Sequence, residues 1–317
     1  MSNNIEESKS NDVQPLAPSD RPPWLVHVED RIAEENEQFD SGSIYFEIIR
    51  DLLLAPDNDD TAVPKAIKRF NEHYIAVFAG EDFGRRQPPE YAAGDILNEI
   101  SIAVFETVGK VSLTDIGHDR LANFLIGIKR DAADEFSKED PQFVYFGWGL
   151  EAAATEDWNS SHAQGVTRDN EFRTASQASH SWVSKSALLA KLFSAGLLDA
   201  DGTRWISGDF ESAFETRTSG DLTTNIGRKA QVVAQANYTL IAGDAYIKEV
   251  KQPSKKYRVE VTPAKWKLWA SKLQEVADAA SIDAEWDLKN RARKAYDKMV
   301  ELYPEAFKTE EPQVDKS

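Results

Sequence analysis

The chain has no cysteine, two methionines and five histidines in 317 residues. The absence of cysteine excludes disulfides, thiolate nucleophiles and zinc or iron–sulfur sites with cysteine ligands. No apolar run approaches the roughly 20 residues that a membrane-spanning helix requires. Residues 1–22 lack the basic and apolar regions of a signal peptide. We therefore expect a soluble intracellular protein, in the cytoplasm or the nucleus, that does not bind membranes.

Basic residues are scarce in the first half of the chain. Residues 1–150 contain 14 Lys and Arg against 29 Asp and Glu, a net charge of −15, whereas residues 151–317 contain 23 against 25, a net of −2. Because nucleic acids are bound through cationic side chains that neutralise phosphates, this balance argues against nucleic-acid binding. It favours solubility, and it leaves an acidic surface for a protein partner as an open alternative.

Hydrophobic residues make up 41% of the chain and recur with a helical period between two polar tails. The pattern predicts an all-α fold, a single large irregular bundle or array of about ten helices over residues 23–303. Residues 1–22 and 304–317 are predicted to be disordered tails. The polar link 137–142 is a possible boundary between two lobes. One short alternating run, 257–261, is too small to indicate a sheet.

Local signals place several helix boundaries. Thr262 followed by Pro263 predicts a helix start, and residues 112–115 resemble a capping box. Trp182 is expected to open an amphipathic helix that an Asp-Ala-Asp-Gly turn at 199–202 ends, and Trp205 to open the next helix. Gly243 lies inside a long helix after Gly227, where a close helix crossing would explain it.

His118-Asp119 is the motif with the clearest chemical meaning. Helical phosphohydrolases hold a water-activating metal through a His-Asp pair and further ligands from other helices, here His73 upstream and His162 or His180 downstream. The alternative is that Asp119 complements the positive end of a helix beginning near Gly117. We favour the alternative, and assign no catalytic, cofactor-binding or metal-binding residue and no cofactor.

Trp148 and Trp158 lie close to the carboxylates Glu151, Glu156 and Asp157. Two carboxylates in different environments could act as acid and base, and the two rings could line a small-molecule pocket. Tryptophans more often anchor a core while acids face water, and we favour that interpretation.

Four weaker patterns have structural explanations. The segment 220–229 lacks the spacing and the Ser/Thr of a phosphate-binding loop, so we interpret it as a glycine turn before a helix. Residues 57–60 lack the glycine and glutamate of an EF-hand loop and are interpreted as a solvated acidic turn. Ser194 lies within a helix and not at a nucleophile elbow. The basic cluster is interpreted as a solvated loop. Its members are Lys248, Lys251, Lys255, Lys256 and Arg258.

The segment from Trp182 to Ala213 resembles an uncharacterised all-helical family common in filamentous fungi, a domain of unknown function. The likeness rests on the helix from Trp182 to Leu192 and on the aromatic-rich helix from Trp205 to Glu215. Supporting pieces are 145–148, Trp158-Asn159, 242–244 and Trp266, and the likeness extends over about residues 25–303. Lys191 stands where the family often has arginine. The resemblance implies the helical fold and no activity.

The sequence therefore leaves three function classes open. The first is a soluble helical binding or scaffold protein with a partner at the acidic first half. The second is a metal-dependent hydrolase built around His118 and Asp119, which requires that His73 converge with them. The third is a small-molecule binder with an aromatic pocket near Trp148 and Trp158.

Overall fold

Helices account for most of the described backbone. The computed structural model describes residues 21–37, 42–78, 90–135, 149–158, 174–198, 200–218, 220–252 and 261–308. These residues form eleven α-helices and no strand, which confirms the predicted all-α class. The helices are α1 Pro23–Glu37, α2 Ser43–Leu54, α3 Ala62–Phe78, α4 Glu90–Val108, α5 Ile116–Glu135, α6 149–158, α7 Ala175–Ser194, α8 Ala200–Glu211, α9 Ile226–Lys251, α10 Pro263–Ala279 and α11 Leu288–Leu302.

The helices pack in two groups. In the first half, α2 contacts α1, α3, α4 and α5, and α5 also packs on α3. In the second half, α9 lies between α7, α8 and α11, and α10 packs on α11. Helix α7 joins the groups through its contacts with α4 and α5. The buried apolar side chains form one continuous cluster across both groups, from Val28 to Ala306.

Helix α7 begins seven residues before the predicted start at Trp182. Thr174 is its N-cap: the Thr174 hydroxyl accepts a hydrogen bond from the amide of Gln177, whose side chain accepts one from the amide of Thr174. This reciprocal capping box satisfies amides that a helix start otherwise leaves unpaired. The prediction from Trp182 was wrong because the apolar period becomes obvious only after the polar first two turns.

The predicted turn at residues 199–202 was also misplaced. Helix α7 ends at Ser194, and Gly196, two residues later, has a φ of +73° that suits glycine. The amide of Leu197 donates to the carbonyl oxygen of Leu192, and the amide of Gly196 donates to the carbonyl oxygen of Phe193, as in a Schellman motif. Residues 200–202 already belong to α8, so Trp205 lies inside α8 and does not open it.

The predicted start of α10 and the predicted helix crossing at Gly243 are confirmed, whereas the cap of α5 differs from the prediction. Thr262 caps α10 by accepting from the amide of Lys265 at 3.2 Å, with Pro263 as the first helical residue. At α5 the capping residue is Asp115, whose Oδ1 accepts from the amide of Gly117 at 2.7 Å, and not Ser112 of the predicted capping box. The helix crossing predicted at Gly243 is present, since a Cβ at this position would lie 2.8 Å from Cδ1 of Leu302 on α11.

Two helical glycines offer a matched test of packing. A Cβ at Gly127 in α5 would overlap Cδ1 of Ile67 on α3 and lie 3.2 Å from its Cγ1, whereas a Cβ at Gly208 in α8 meets no atom within 4 Å. Alanine is favoured over glycine in a helix by about 1 kcal/mol. Overpacking costs about 1–3 kcal/mol and outweighs that gain at Gly127.

We therefore expect Gly208→Ala to raise the free energy of unfolding by up to about 1 kcal/mol, and Gly127→Ala to lower it by a similar amount. Urea denaturation of the two variants beside the parent chain measures both changes. Equal stabilisation by both substitutions would contradict the close α3–α5 crossing.

Candidate functional site

His118 lies in the first turn of α5 and is fully buried. Its Nε2 is 2.8 Å from the carbonyl oxygen of Ser184 on α7. Because a carbonyl oxygen only accepts, Nε2 carries the hydrogen and Nδ1 is the acceptor. Nδ1 accepts from Nζ of Lys191, also at 2.8 Å. The imidazole therefore bridges α5 to two positions on α7.

Lys191 occupies the place where a metal would be needed. Its Nζ lies 2.8 Å from Nδ1 of His118 and 2.6 Å from Oδ1 of Asp119, so the ammonium group contacts both atoms that the metal hypothesis requires as ligands. Burial, and next the charge of Lys191, lower the pKa of His118 to about 4. The neutral imidazole of His118, the ammonium of Lys191 and the carboxylate of Asp119 therefore join α5 to α7.

The other predicted metal ligands have their own contacts. His73 on α3 packs edge-to-face on Tyr45, with ring centroids 5.6 Å apart. His180 on α7 packs against Trp286, and its Nδ1 is 2.9 Å from the carbonyl oxygen of Ser176. His162 lies outside the described residues. Within the ranges that the structure describes, no three His, Asp or Glu side chains are grouped so as to hold a metal ion.

A second polar cluster joins α4, α6 and α7. Lys185 forms an ion pair with Asp157, and only 11% and 13% of the two side chains are exposed. Gly109, just after α4, permits this approach, because a Cβ there would overlap Oγ of Ser181 and lie 3.0 Å from Cε of Lys185. Glu106 on α4 lies near the pair, and burial raises its pKa against the opposing influence of Arg31.

The prediction that the acids near Trp158 face water was therefore wrong for Asp157. Glu156, one residue earlier on α6, is exposed as expected. Asp157 points to the helix interface because its partner Lys185 is buried on α7, 28 residues away in sequence. Lys185 was not among the predicted site residues. Its place within the otherwise largely apolar stretch 182–193 was the available signal.

A third cluster combines two tryptophans with a carboxylate. The rings of Trp158 on α6 and Trp205 on α8 stack, with centroids 6.1 Å apart and planes at 23°. Oδ2 of Asp209 accepts from Nε1 of Trp158 at 3.3 Å and from the hydroxyl of Tyr238 on α9 at 3.1 Å. Burial, and next Asp209, raise the pKa of Tyr238 well above its usual value, so the hydroxyl keeps the proton that it donates.

This third cluster is a packed contact between α6, α8 and α9. Asp209, Tyr238 and Trp205 are almost completely buried, and the two indole rings cover each other. Trp158 thus acts as the core anchor that the sequence analysis favoured, and Trp148 lies outside the described residues. Asp209, which sequence analysis missed, falls four residues after Trp205 and so on the same face of α8.

Two of the weaker motifs also form turns. Gly220 has a φ of +109°, and Asn225 caps α9 by accepting from the amide of Arg228 at 2.9 Å, which fits a glycine turn before a helix. In the acidic turn, Oδ1 of Asp59 accepts from the amide of Thr61, and the hydrogen bonds from Thr61 lower the pKa of Asp59. Of the basic cluster, Lys248 and Lys251 lie on α9 and the rest is outside the described residues.

The Lys185–Asp157 pair predicts an asymmetric response to mutation. Lys185→Met should lower the free energy of unfolding by about 3 kcal/mol, because it leaves the Asp157 carboxylate buried without its counter-ion. The double variant Lys185→Met/Asp157→Leu should recover most of this loss. Denaturant titration of the two single variants and the double variant gives the coupling free energy between Lys185 and Asp157. Additive losses would show that the pair does not act as a unit.

His118 predicts a loss of stability in acid. Its pKa is about 4 in the folded chain and near 6.5 when unfolded, so the unfolded state binds the extra proton between these values. Stability should fall as pH drops from 6.5 to 4, by at most about 1.4 kcal/mol per pH unit from this one group. His118→Gln should make the curve of unfolding free energy against pH shallower in that window. An unchanged slope would contradict the buried neutral imidazole.

Comparison with known proteins gives a family and no activity. A family described as "Protein of unknown function (DUF3632)" matches residues 103–273, more than half of the chain. Neither a curated protein nor a solved structure matches. In the part of the chain that the structure describes, no helix combines the length and apolar character needed to cross a membrane. The matched range contains all three buried clusters, from Glu106 to Tyr238, and the chain belongs to this uncharacterised domain family.

Proposed function

We propose that this chain is a non-enzymatic binding or scaffold protein whose acidic N-terminal surface contacts a basic segment of a partner protein. The proposal rests on one observation, the outer face of α1. Asp30, Glu34 and Glu37 are exposed and follow one another at four- and three-residue spacing, which places them on one side of the helix. We call these three residues the acidic stripe.

The remainder of α1 explains why the stripe faces outward. Val28 is buried in the core, and Trp24 and Ile32 pack against the same core, which fixes the inner face of the helix. The helix carries five carboxylates and one arginine. Arg31 pairs with Glu34 and Glu35, and Arg21, before the helix, pairs with Glu29, so five negative and two positive charges leave a net charge of −3. Such a surface raises the rate of encounter with cationic partners and repels nucleic acid and anionic lipid.

The three buried clusters support the binding role in a different way. Their titratable side chains bond to one another across helix interfaces, as His118 does to Lys191 and Asp157 to Lys185. These contacts hold α5, α6 and α7 together, which favours a structural role for these side chains over a catalytic one. Under this proposal the protein acts inside the cell, in the cytoplasm or the nucleus.

The test compares two triple variants with the same change of charge. Asp30→Asn/Glu34→Gln/Glu37→Gln neutralises the stripe, and Asp297→Asn/Glu301→Gln/Glu305→Gln neutralises three exposed acids on and after α11. Affinity capture from native lysate should yield a stoichiometric partner with the parent chain and the control. The stripe variant should bind that partner at least about tenfold more weakly, which corresponds to about 1.4 kcal/mol.

Binding of the parent chain should also weaken as salt is raised, because screening acts on exposed charges. Equal affinity of the two triple variants would show that the partner contacts another surface. A clean monomer without a partner under all conditions would contradict the binding role itself.

A further inference from the structure

His27 occupies an unusual position on the inner side of α1. Its Nε2 is buried and has no hydrogen-bond partner. The ring packs edge-to-face on Phe46 of α2, with centroids 6.2 Å apart and planes at 86°. A neutral imidazole fits this apolar contact, whereas a charged one would lose hydration and gain only Glu106, whose Oε2 also faces Arg31.

Charged groups of both signs surround His27. Arg31, one turn later on α1, and Lys110, just after α4, both act on it as like charges. The nearest carboxylate is Glu106 on α4, whose Oε2 lies 3.7 Å from Nε2 of His27. The same oxygen lies 3.6 Å from Nε of Arg31, so it is shared with a permanent cation. Asp30 and Glu34 on α1 exert weaker attractions.

Helix α1 is the first of the described helices and packs on α2 and α4. Leu25 and Val28 are buried among its 15 residues. Arg31 adds a cation–π contact, with its guanidinium carbon 5.1 Å from the Phe46 ring. A helix at one end of the described fold can open locally without unfolding the other helices, and a buried charge on its inner side shifts that local equilibrium.

We propose that protonation of His27 detaches α1 from α2 and α4, so that α1 is a pH-sensitive helix at the edge of the fold. The detached helix returns the imidazole to water and separates it from Lys110. It also moves the outer face of α1 away from the bundle, independently of whether that face binds a partner.

The direction in which pH shifts the detachment of α1 follows from the pKa of His27 in the docked and detached states. Burial, and next Lys110, lower its pKa to about 4 when α1 is docked, whereas the ring in water titrates near 6.5. The detached state therefore binds the proton between these values, and acid favours detachment.

Glu106 works in the opposite direction, because burial raises its pKa and it takes up a proton while docked. Asp157 and Lys185, from α6 and α7, act on Glu106. From His27 alone, the detachment equilibrium rises at most about 30-fold between pH 7.5 and pH 5.

The absence of cysteine makes the movement directly measurable. Cysteines at the exposed positions Ala33 on α1 and Lys68 on α3 accept a pair of spin labels, and the distance between them can be followed from pH 7.5 to pH 5. A second pair at Lys267 on α10 and Asn290 on α11 reports on the rest of the fold. The proposal predicts a second, longer α1–α3 distance that grows in acid, while the α10–α11 distance stays constant.

The decisive variant is His27→Phe in the α1–α3 labelled chain, which keeps the edge-to-face packing and cannot titrate. It should hold the short distance across the whole range, and His27→Gln serves the same purpose should phenylalanine disturb folding. Glu106→Gln should leave the acid response in place. The proposal is overturned if His27→Phe and His27→Gln respond to acid like the parent, if the parent does not respond, or if both label pairs change together.

Discussion

Helix α9 must be buried on almost every side, and the rest of the second half is arranged to meet that constraint. It is the longest of the described helices, and 15 of its 26 residues are buried. No residue from Val232 to Gly243 is exposed, so this part of the helix needs neighbours around it. Helices α7, α8 and α11 provide them, and Gly243 brings α11 close enough for Leu302 to lie against the α9 backbone.

The buried surface of α9 includes polar side chains, which makes its neighbours specific. Asn237 donates to the carbonyl oxygen of Val183 on α7 at 3.4 Å and accepts from Arg291 on α11 at 2.9 Å. Tyr238 donates to Asp209 on α8. An unpaired buried polar group costs about 1–3 kcal/mol, so other arrangements of these helices are disfavoured. The same reasoning applies to His118 and Lys185, which fix α7 against α5 and α6.

The sequence predicted the elements better than their contacts. Thr262-Pro263 and Gly243 were informative because a cap and a close crossing depend on a single residue type at one place. The start of α7 was missed because its capping box lies before the apolar period. The contacts of Asp157 and His118 could not be predicted, because their partners are 28 and 73 residues away and no local pattern encodes such pairings. A polar residue within an apolar stretch of the sequence, such as Lys185, was a signal that pointed to a buried pairing.

The most direct test of the central role of α9 is native-state hydrogen exchange along the chain. If α9 is the enclosed element, the amides of residues 232–242 should exchange only through global unfolding and be the slowest in the protein, while those of α1 should be among the fastest of the helices. Exchange in 232–242 as fast as in α1 would contradict the account, because it would mean that α9 opens without unfolding the helices that surround it.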